Sequence, residues 1–333
     1  MKNLMLLLII GIHFVGFGCT TFILDNQDYY LFGRNLDWNS DHGLVLVNKK
    51  GIKKKGFLPT ETDKMEWISK FGSVTFNQFG KELPYGGINE KGLVIEIMRS
   101  QADYPKKDKR TGINELQWIQ YQLDVNSTVD QVIASDSLLR IVGLKEELHF
   151  LVADKNGNKA VIEFLEGEMV FYCDENLPLP VLENETYKAS LNKKSQGLET
   201  RFTKVCQSLK SFEHHKNGVD FCFDVLQEVA LDRSWSIVYD INQMEIHFKS
   251  NTKTAEKTIK LNELDFNCHN PTMMLNINTK EKGEVHSYFQ PYSSDANKKV
   301  LEKSIQINNM QKWPAPVLAE LLNYAQTCYC VYR

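Results

Sequence analysis

The chain has 333 residues, of which 42% are hydrophobic, 24% charged and 11% aromatic, with a formal net charge of −3. This composition excludes a disordered, collagen-like or low-complexity protein, and the length suffices to bury a sizeable core. No segment is strongly basic, which excludes an electrostatic footprint for nucleic acid.

The chain opens with Lys2 followed by an apolar run from Leu4 to Val15, and Gly16 and Gly18 stand at −3 and −1 relative to Cys19. This pattern predicts a secretory signal peptide over residues 1–18, removed by signal peptidase. The run is shorter than the roughly 20 residues of a membrane span. The chain is therefore expected to be exported, periplasmic or secreted, where disulfides can form. Its seven cysteines are too sparse for a disulfide-built scaffold, and an odd number leaves at least one unpaired. Cys19 is the natural candidate. Cys328 and Cys330 have no second pair near them in sequence, so a zinc site has no support.

Thr20–Leu24 and Tyr29–Gly33 read as a β-hairpin around the polar turn Asp25-Asn26-Gln27-Asp28. Gly43–Asn48, Ser73–Phe76 and Leu93–Met98 continue the strand pattern. Lys49, Lys50, Lys53, Lys54 and Lys55 read as a solvated loop or hairpin tip. Ile113–Leu123 has helical spacing, and Val129–Ala134 follows Ser127 and Thr128, either of which can cap it. His149–Ala153 and Lys159–Phe164 flank an Asn-Gly turn, a strong hairpin signal. Glu183–Gln196 is polar and reads as a long loop. Residues 198–212 and 219–230 read as helices, split by a solvated loop containing His214 and His215. Ser236–Asp240 and Met244–Lys249 form another hairpin, and a last helix runs from Pro314 to about Tyr324. Hairpins, then helices, then hairpins indicate an α+β fold. With no repeat, linker or composition break, residues 19–333 are expected to form one domain.

Cleavage after Gly18 would give Cys19 a free α-amine, which titrates near 7.7–8.0 in model compounds. A thiol and a local base in one residue make a complete nucleophile–base pair without a histidine. No H-E-x-x-H, G-x-S-x-G or P-loop pattern is present, so zincin, α/β-hydrolase and nucleotide chemistry have no support.

Cys19-Thr20-Thr21-Phe22-Ile23-Leu24 followed by Gly33-Arg34-Asn35-Leu36-Asp37-Trp38 resembles the start of the choloylglycine hydrolase family. These N-terminal-nucleophile amidases include conjugated bile acid hydrolases and penicillin V acylases. Tyr85-Gly86-Gly87-Ile88-Asn89-Glu90-Lys91-Gly92-Leu93, Val181-Leu182-Glu183-Asn184, Thr200-Arg201-Phe202 and Trp235–Asp240 are similar to further family elements in the same order. The resemblance implies a four-layer αββα sandwich and acyl transfer to a cysteine, with no cofactor and no metal. It implies Cys19 as nucleophile, its amine as base and later acid, and Asp37 holding that amine. It further implies Arg34 beside the sulfur, Asn184 as oxyanion donor, and Arg201 completing the polar network. A second oxyanion donor, a backbone N–H past the Leu93–Met98 strand, falls at about Arg99. Asn89 reads as a turn residue, and Trp38, Trp118 and Trp235 as core or pocket wall.

The implied substrate is a small-molecule linear amide: an acyl-amino acid, a conjugated bile acid, penicillin V or an acyl-homoserine lactone. Only 16 residues separate Asn184 from Arg201, where bile acid hydrolases carry an assembly loop, so a homo-oligomer is open but a tetramer is not implied. Two alternatives stand beside the amidase. One is a non-catalytic exported binding protein or lipoprotein, although Gly16 and Phe17 differ from the usual lipoprotein signal. The other is a lipid amidase related to the acid ceramidases.

Overall fold

Strand alternation after the predicted leader builds the first of two large sheets. In the computed structural model, which describes residues 18–59, 61–144, 146–213, 217–231 and 234–331, β1 (Thr20–Asp25) and β2 (Tyr30–Asp37) form the expected antiparallel hairpin. Asn26 Oδ1 closes its turn, accepting from the backbone N–H groups of Asp28 and Tyr29 at 2.9 Å each, a side-chain mimic of a backbone turn. Residues 1–17 of the predicted leader and the His214-His215 pair lie outside the described residues.

β2 is central in a seven-stranded sheet, with β1 on one side and Ser234–Asp240 on the other. The second sheet has nine strands, and its neighbours pair antiparallel throughout. The two sheets face each other through interlocking aromatics. Phe76 of the second sheet meets Trp235, Tyr239 and Phe248 of the first edge-on, at centroid distances of 6.2, 6.3 and 5.5 Å, the geometry ring quadrupoles favour.

Helices cover the outer faces. α1 (Glu115–Val125) and α2 (Val129–Ala134) lie on the side of the nine-stranded sheet, where Trp118 stacks on Phe150 at 4.4 Å. α3 (Tyr187–Ser195), α4 (Arg201–Lys210) and α5 (Gly218–Val229) lie on the side of the seven-stranded one. The layer order is helix, sheet, sheet, helix, the α+β sandwich that the resemblance implied. Sequence caps start these helices: Asn114 for α1, Thr128 for α2, Thr200 for α4 and Asn217 for α5. Each side-chain oxygen takes up an otherwise orphaned N–H group. Towards the C-terminus, α6 (Ser294–Ile307) and α7 (Ala315–Asn323) lead into a short strand, Tyr329–Cys330. Cys330 is disulfide-bonded to Cys268, and Cys19 carries a free, buried thiol.

Two expectations are corrected. Glu183–Gln196 is not a loop: Thr186 caps α3, whose apolar signal is weak because it buries only Tyr187 and Ser190. The lysine run is not uniformly solvated either. Lys50, Lys53 and Lys55 face water, but Lys49 and Lys54 are buried. Lys54 Nζ lies 2.5 Å from Glu82 and 2.8 Å from Asp124, because strand alternation turns it inward between two outward lysines.

Candidate active site

The site grows from the two-residue period of β2. Phe32, Arg34 and Leu36 face the second sheet, while Asn35 and Asp37 face the helices. On the inner face Arg34 Nε meets Glu96 Oε2 at 2.8 Å, and Tyr239 donates its hydroxyl to Glu96 Oε1 at 2.5 Å. On the outer face Asn35 Nδ2 donates to the Leu226 carbonyl of α5 at 2.6 Å. Asp37 Oδ1 accepts the Leu231 N–H at 3.0 Å.

Cys19 precedes β1, beside the end of β2. Its thiol is buried and points to the Asp37 backbone carbonyl, with Sγ 3.9 Å from that oxygen. The Arg34 guanidinium lies beside Cys19 in the same buried lining, close enough for the two to interact electrostatically. Burial opposes the Arg34 charge, but the neighbouring Cys19 and Glu96 more than offset it and hold the guanidinium pKa above its ordinary value. Burial raises the Glu96 carboxyl pKa, against the opposing pull of Arg34 and Tyr239. The arrangement is a buried cation shared between a carboxylate and a thiol, in a place where water does not screen it.

Arg34 and Cys19 line a pocket of about 730 Å³, counting its open mouth. Its walls are largely apolar and aromatic, with Trp38, Phe57, Phe79, Tyr85 and Trp313 among them. The polar exceptions cluster. Arg99 pairs with Glu146 at 3.3 Å. Glu115 accepts the backbone N–H groups of Leu144 and Glu146 at 3.0 and 3.1 Å. Burial, with Glu146 next in weight, holds the Tyr85 phenol well above its usual pKa.

The sequence-predicted residues occupy this neighbourhood in two groups. Cys19, Arg34 and Arg99 line the pocket itself. Asn184 and Arg201 stand next to it: Asn184 Nδ2 donates to the Arg99 carbonyl at 2.8 Å, and Arg201 Nη2 donates to Asn184 Oδ1 at 2.9 Å. One amide hydrogen of Asn184 is thus engaged by backbone, and the amide carries a second. Arg201 also approaches the residue before the thiol. A Cβ added at Gly18 would sit 2.4 Å from Arg201 Nη1 and 2.4 Å from a Leu231 methyl. Asn89 is a turn residue, accepting from Lys91 and Leu93 N–H and donating to Leu123 and Asn126 carbonyls. Trp118 and Trp235 are core, and Trp38 is pocket wall.

Sequence reasoning missed Glu96 and Tyr239. Glu96 did leave a signal, a lone carboxylate inside the apolar run Val94-Ile95-Glu96-Ile97-Met98, and a buried charge needs a partner. It also missed Met310, Trp313 and Leu321, which reach the pocket from the far end of the chain.

A family model described as linear amide C–N hydrolases, choloylglycine hydrolase family, matches residues 19–193. Over 183 residues the chain is 30% identical to the penicillin V acylase of Pectobacterium atrosepticum, a match covering 49% of this chain and 48% of that protein. The match thus spans about half the length of that relative. The structure of penicillin V acylase from Agrobacterium tumefaciens is similar in fold, with a TM-score of 0.71 at 20% identity, covering 83% of this chain and 98% of that one. A mutant of the conjugated bile acid hydrolase from Clostridium perfringens gives a TM-score of 0.61 at 16% identity, covering 83% and 96%.

Proposed function

The chain belongs to the choloylglycine hydrolase family of linear amide C–N hydrolases, and from that premise we propose that it is an exported cysteine amidase of the N-terminal-nucleophile type. The observation that carries the reading is a buried thiol beside a buried guanidinium in the lining of an apolar pocket. A cation beside a thiolate stabilises the attacking species. An apolar pocket with a nucleophile in its lining suits a substrate with an apolar acyl group and a polar amine.

In this reading, signal peptidase removes residues 1–18 and leaves the Cys19 α-amine free to take the thiol proton. The thiolate attacks the amide carbon, forming a C–S bond and pushing the carbonyl electron pair onto oxygen. The remaining Asn184 amide hydrogen and the Arg99 N–H receive that oxyanion; one such donor is worth about 2.7–4 kcal/mol in the barrier. The tetrahedral species collapses as the C–N bond breaks, and the leaving amine takes the proton held by the α-amine. Water, deprotonated by the same amine, then hydrolyses the thioester and releases the acid. Asp37 holds the amine by a charge-assisted hydrogen bond, Arg34 balances the sulfur's charge, and Arg201 orients Asn184 through the 2.9 Å bond. The substrate lies among acyl-amino acids, conjugated bile acids, penicillin V and acyl-homoserine lactones.

The test begins with N-terminal sequencing and intact mass of the exported protein, followed by a panel of these amides. A free Cys19 terminus, with hydrolysis lost in Cys19→Ala, supports the reading. A lipid-modified Cys19 or cleavage elsewhere removes the thiol–amine pair and overturns it. Full activity of Cys19→Ser on every amide overturns the thiol nucleophile.

A further inference from the structure

The segment from Met310 to Cys330 lies beyond the residues matched by the family model, yet it forms part of the pocket. Met310 and Leu321 are buried and Trp313 is half-buried, and all three line the same pocket as Cys19. The segment is tethered at both ends. Before it, Ser304 of α6 is fully buried, bonded to His42 Nε2 at 2.8 Å and donating to the Gln78 carbonyl at 2.5 Å. Asn297 Oδ1 accepts the Lys81 N–H at 2.6 Å. These bonds fix α6 to the loop that supplies Phe79 and Leu83 to the pocket. Towards its other end, Tyr324 donates to the Lys55 carbonyl at 2.6 Å, and its ring meets Phe57, another pocket residue, at 6.0 Å. Tyr329–Cys330 pairs with the Ile52–Lys55 strand, and the Cys268–Cys330 disulfide closes the attachment.

Between these anchors the 310–321 stretch is held by apolar packing and a surface ion pair of Glu320 with Lys64 at 3.4 Å, and the outer residues of α7, including Ala315, Ala319 and Glu320, are exposed. A wall held at its ends and packed in its middle yields locally without unfolding the sheets behind it. We propose that this C-terminal strap is the specificity wall of the pocket: Met310 and Trp313 set the length and bulk of the apolar acyl group admitted beside Cys19, and the Cys268–Cys330 bond keeps the wall in place. The acyl class it suits is slender, an unbranched alkyl chain or a single aryl ring, because Trp313 shares the pocket with Trp38, Phe57 and Phe79. The inference rests on the amidase reading for its biological meaning, since the acyl group is the one that reading places at Cys19.

The test uses binding rather than turnover, so the two readings fail separately. Straight-chain carboxylic acids from four to twelve carbons, and phenylacetic acid, are titrated calorimetrically into the oxidised full-length mature protein. The same is done with Trp313→Ala, the milder Trp313→Leu, and the paired Cys268→Ser/Cys330→Ser variant. One methylene in a hydrophobic pocket is worth about 10-fold or more in discrimination. The strap predicts a length optimum in the parent that moves to longer acids by two carbons or more in Trp313→Ala. It also predicts a smaller move in Trp313→Leu and a flattened optimum in the serine pair. Uniform weakening across the series, an unmoved optimum in folded Trp313→Leu, or no saturable binding of any acid overturns it. Strap-dependent acid binding without hydrolysis of any amide keeps the strap and removes the amidase; amide hydrolysis indifferent to residue 313 does the reverse.

Discussion

Replacing Glu96 by alanine removes the counter-charge of a buried guanidinium. Arg34 and Glu96 are 2.8 Å apart, with side-chain exposures of 1% and 2%, so water does not screen what is left behind. Removing one partner of such a pair costs about 3–5 kcal/mol, because the survivor stays buried and uncompensated. The same change orphans the Tyr239 hydroxyl, bonded to Glu96 at 2.5 Å, although the two losses share one carboxylate and are not additive. At roughly 2–4 °C per kcal/mol for a large domain, the unfolding midpoint drops by about 6–20 °C. Glu96→Gln keeps the shape but only one acceptor oxygen, which can take the Arg34 Nε–H while the new NH2 donates to the Tyr239 hydroxyl, so it falls between parent and alanine variant. Gly86→Ala perturbs the pair from the next strand: Gly86 lies opposite Glu96 in the register, and an added Cβ would sit 2.1 Å from the Glu96 carboxylate. The assay is scanning calorimetry at neutral pH, with Glu66→Gln as the exposed comparison, since Glu66 pairs with Lys53 and Lys55 at the surface. A drop below about 2 °C for Glu96→Ala, well under the range worked from burial, or equal drops for Glu96→Ala and Glu66→Gln, refutes the reasoning.

Asn184→Ala should lower kcat on any cleaved amide by about 10²–10³-fold with a much smaller change in KM, the mark of a donor used in the transition state; steady-state kinetics checks it, and a KM-only effect contradicts the assignment. His42 is held down to about 4, by burial first and by Lys303, against about 6.5 unfolded. Its stabilisation is therefore complete above the unfolded value and lost as pH falls towards 4, so His42→Gln should flatten the pH dependence of the melting temperature across that window. Burial opposes the charge of Glu82, but Lys54 and Lys81 overcome it and pull its pKa down to about 2. The stabilising effect of this carboxylate is present above about 4.5 and lost as pH falls towards 2. The melting-temperature gap between parent and Glu82→Gln should accordingly narrow over that range, and a gap constant with pH counts against the ion-pair account.

The sequence by itself determined what depends on near neighbours. The 20–25 and 30–37 hairpin follows from two β-rich runs around Asn26, whose side chain closes the turn. The starts of α1, α2, α4 and α5 follow from cap residues next to them in the chain. The placement of Arg34 and Asp37 near Cys19 was implied by the family resemblance, and the structure produces it through the hairpin that folds the first strand back onto the second. α3 was not legible, since a helix exposed on most of its surface carries no strong apolar stripe. Nor was the inward turn of Lys54, which the local charge count concealed and which its distant partners Glu82 and Asp124 decide.

Only the tertiary structure decided which groups share the buried interior. Glu96 reaches Arg34 across 62 residues because two sheets pack face to face, and periodicity within one strand carries no record of that partner. The pocket is likewise built from Cys19 and β2, from Phe57 and the 79–85 segment, from Met98, Arg99 and α1, and from Met310, Trp313 and Leu321. Local propensity and spacing specify elements, because their energies arise among neighbouring residues. The shape and polarity of a pocket arise from contacts between elements far apart in the chain, and these are set when the sheets, helices and C-terminal strap exclude water together.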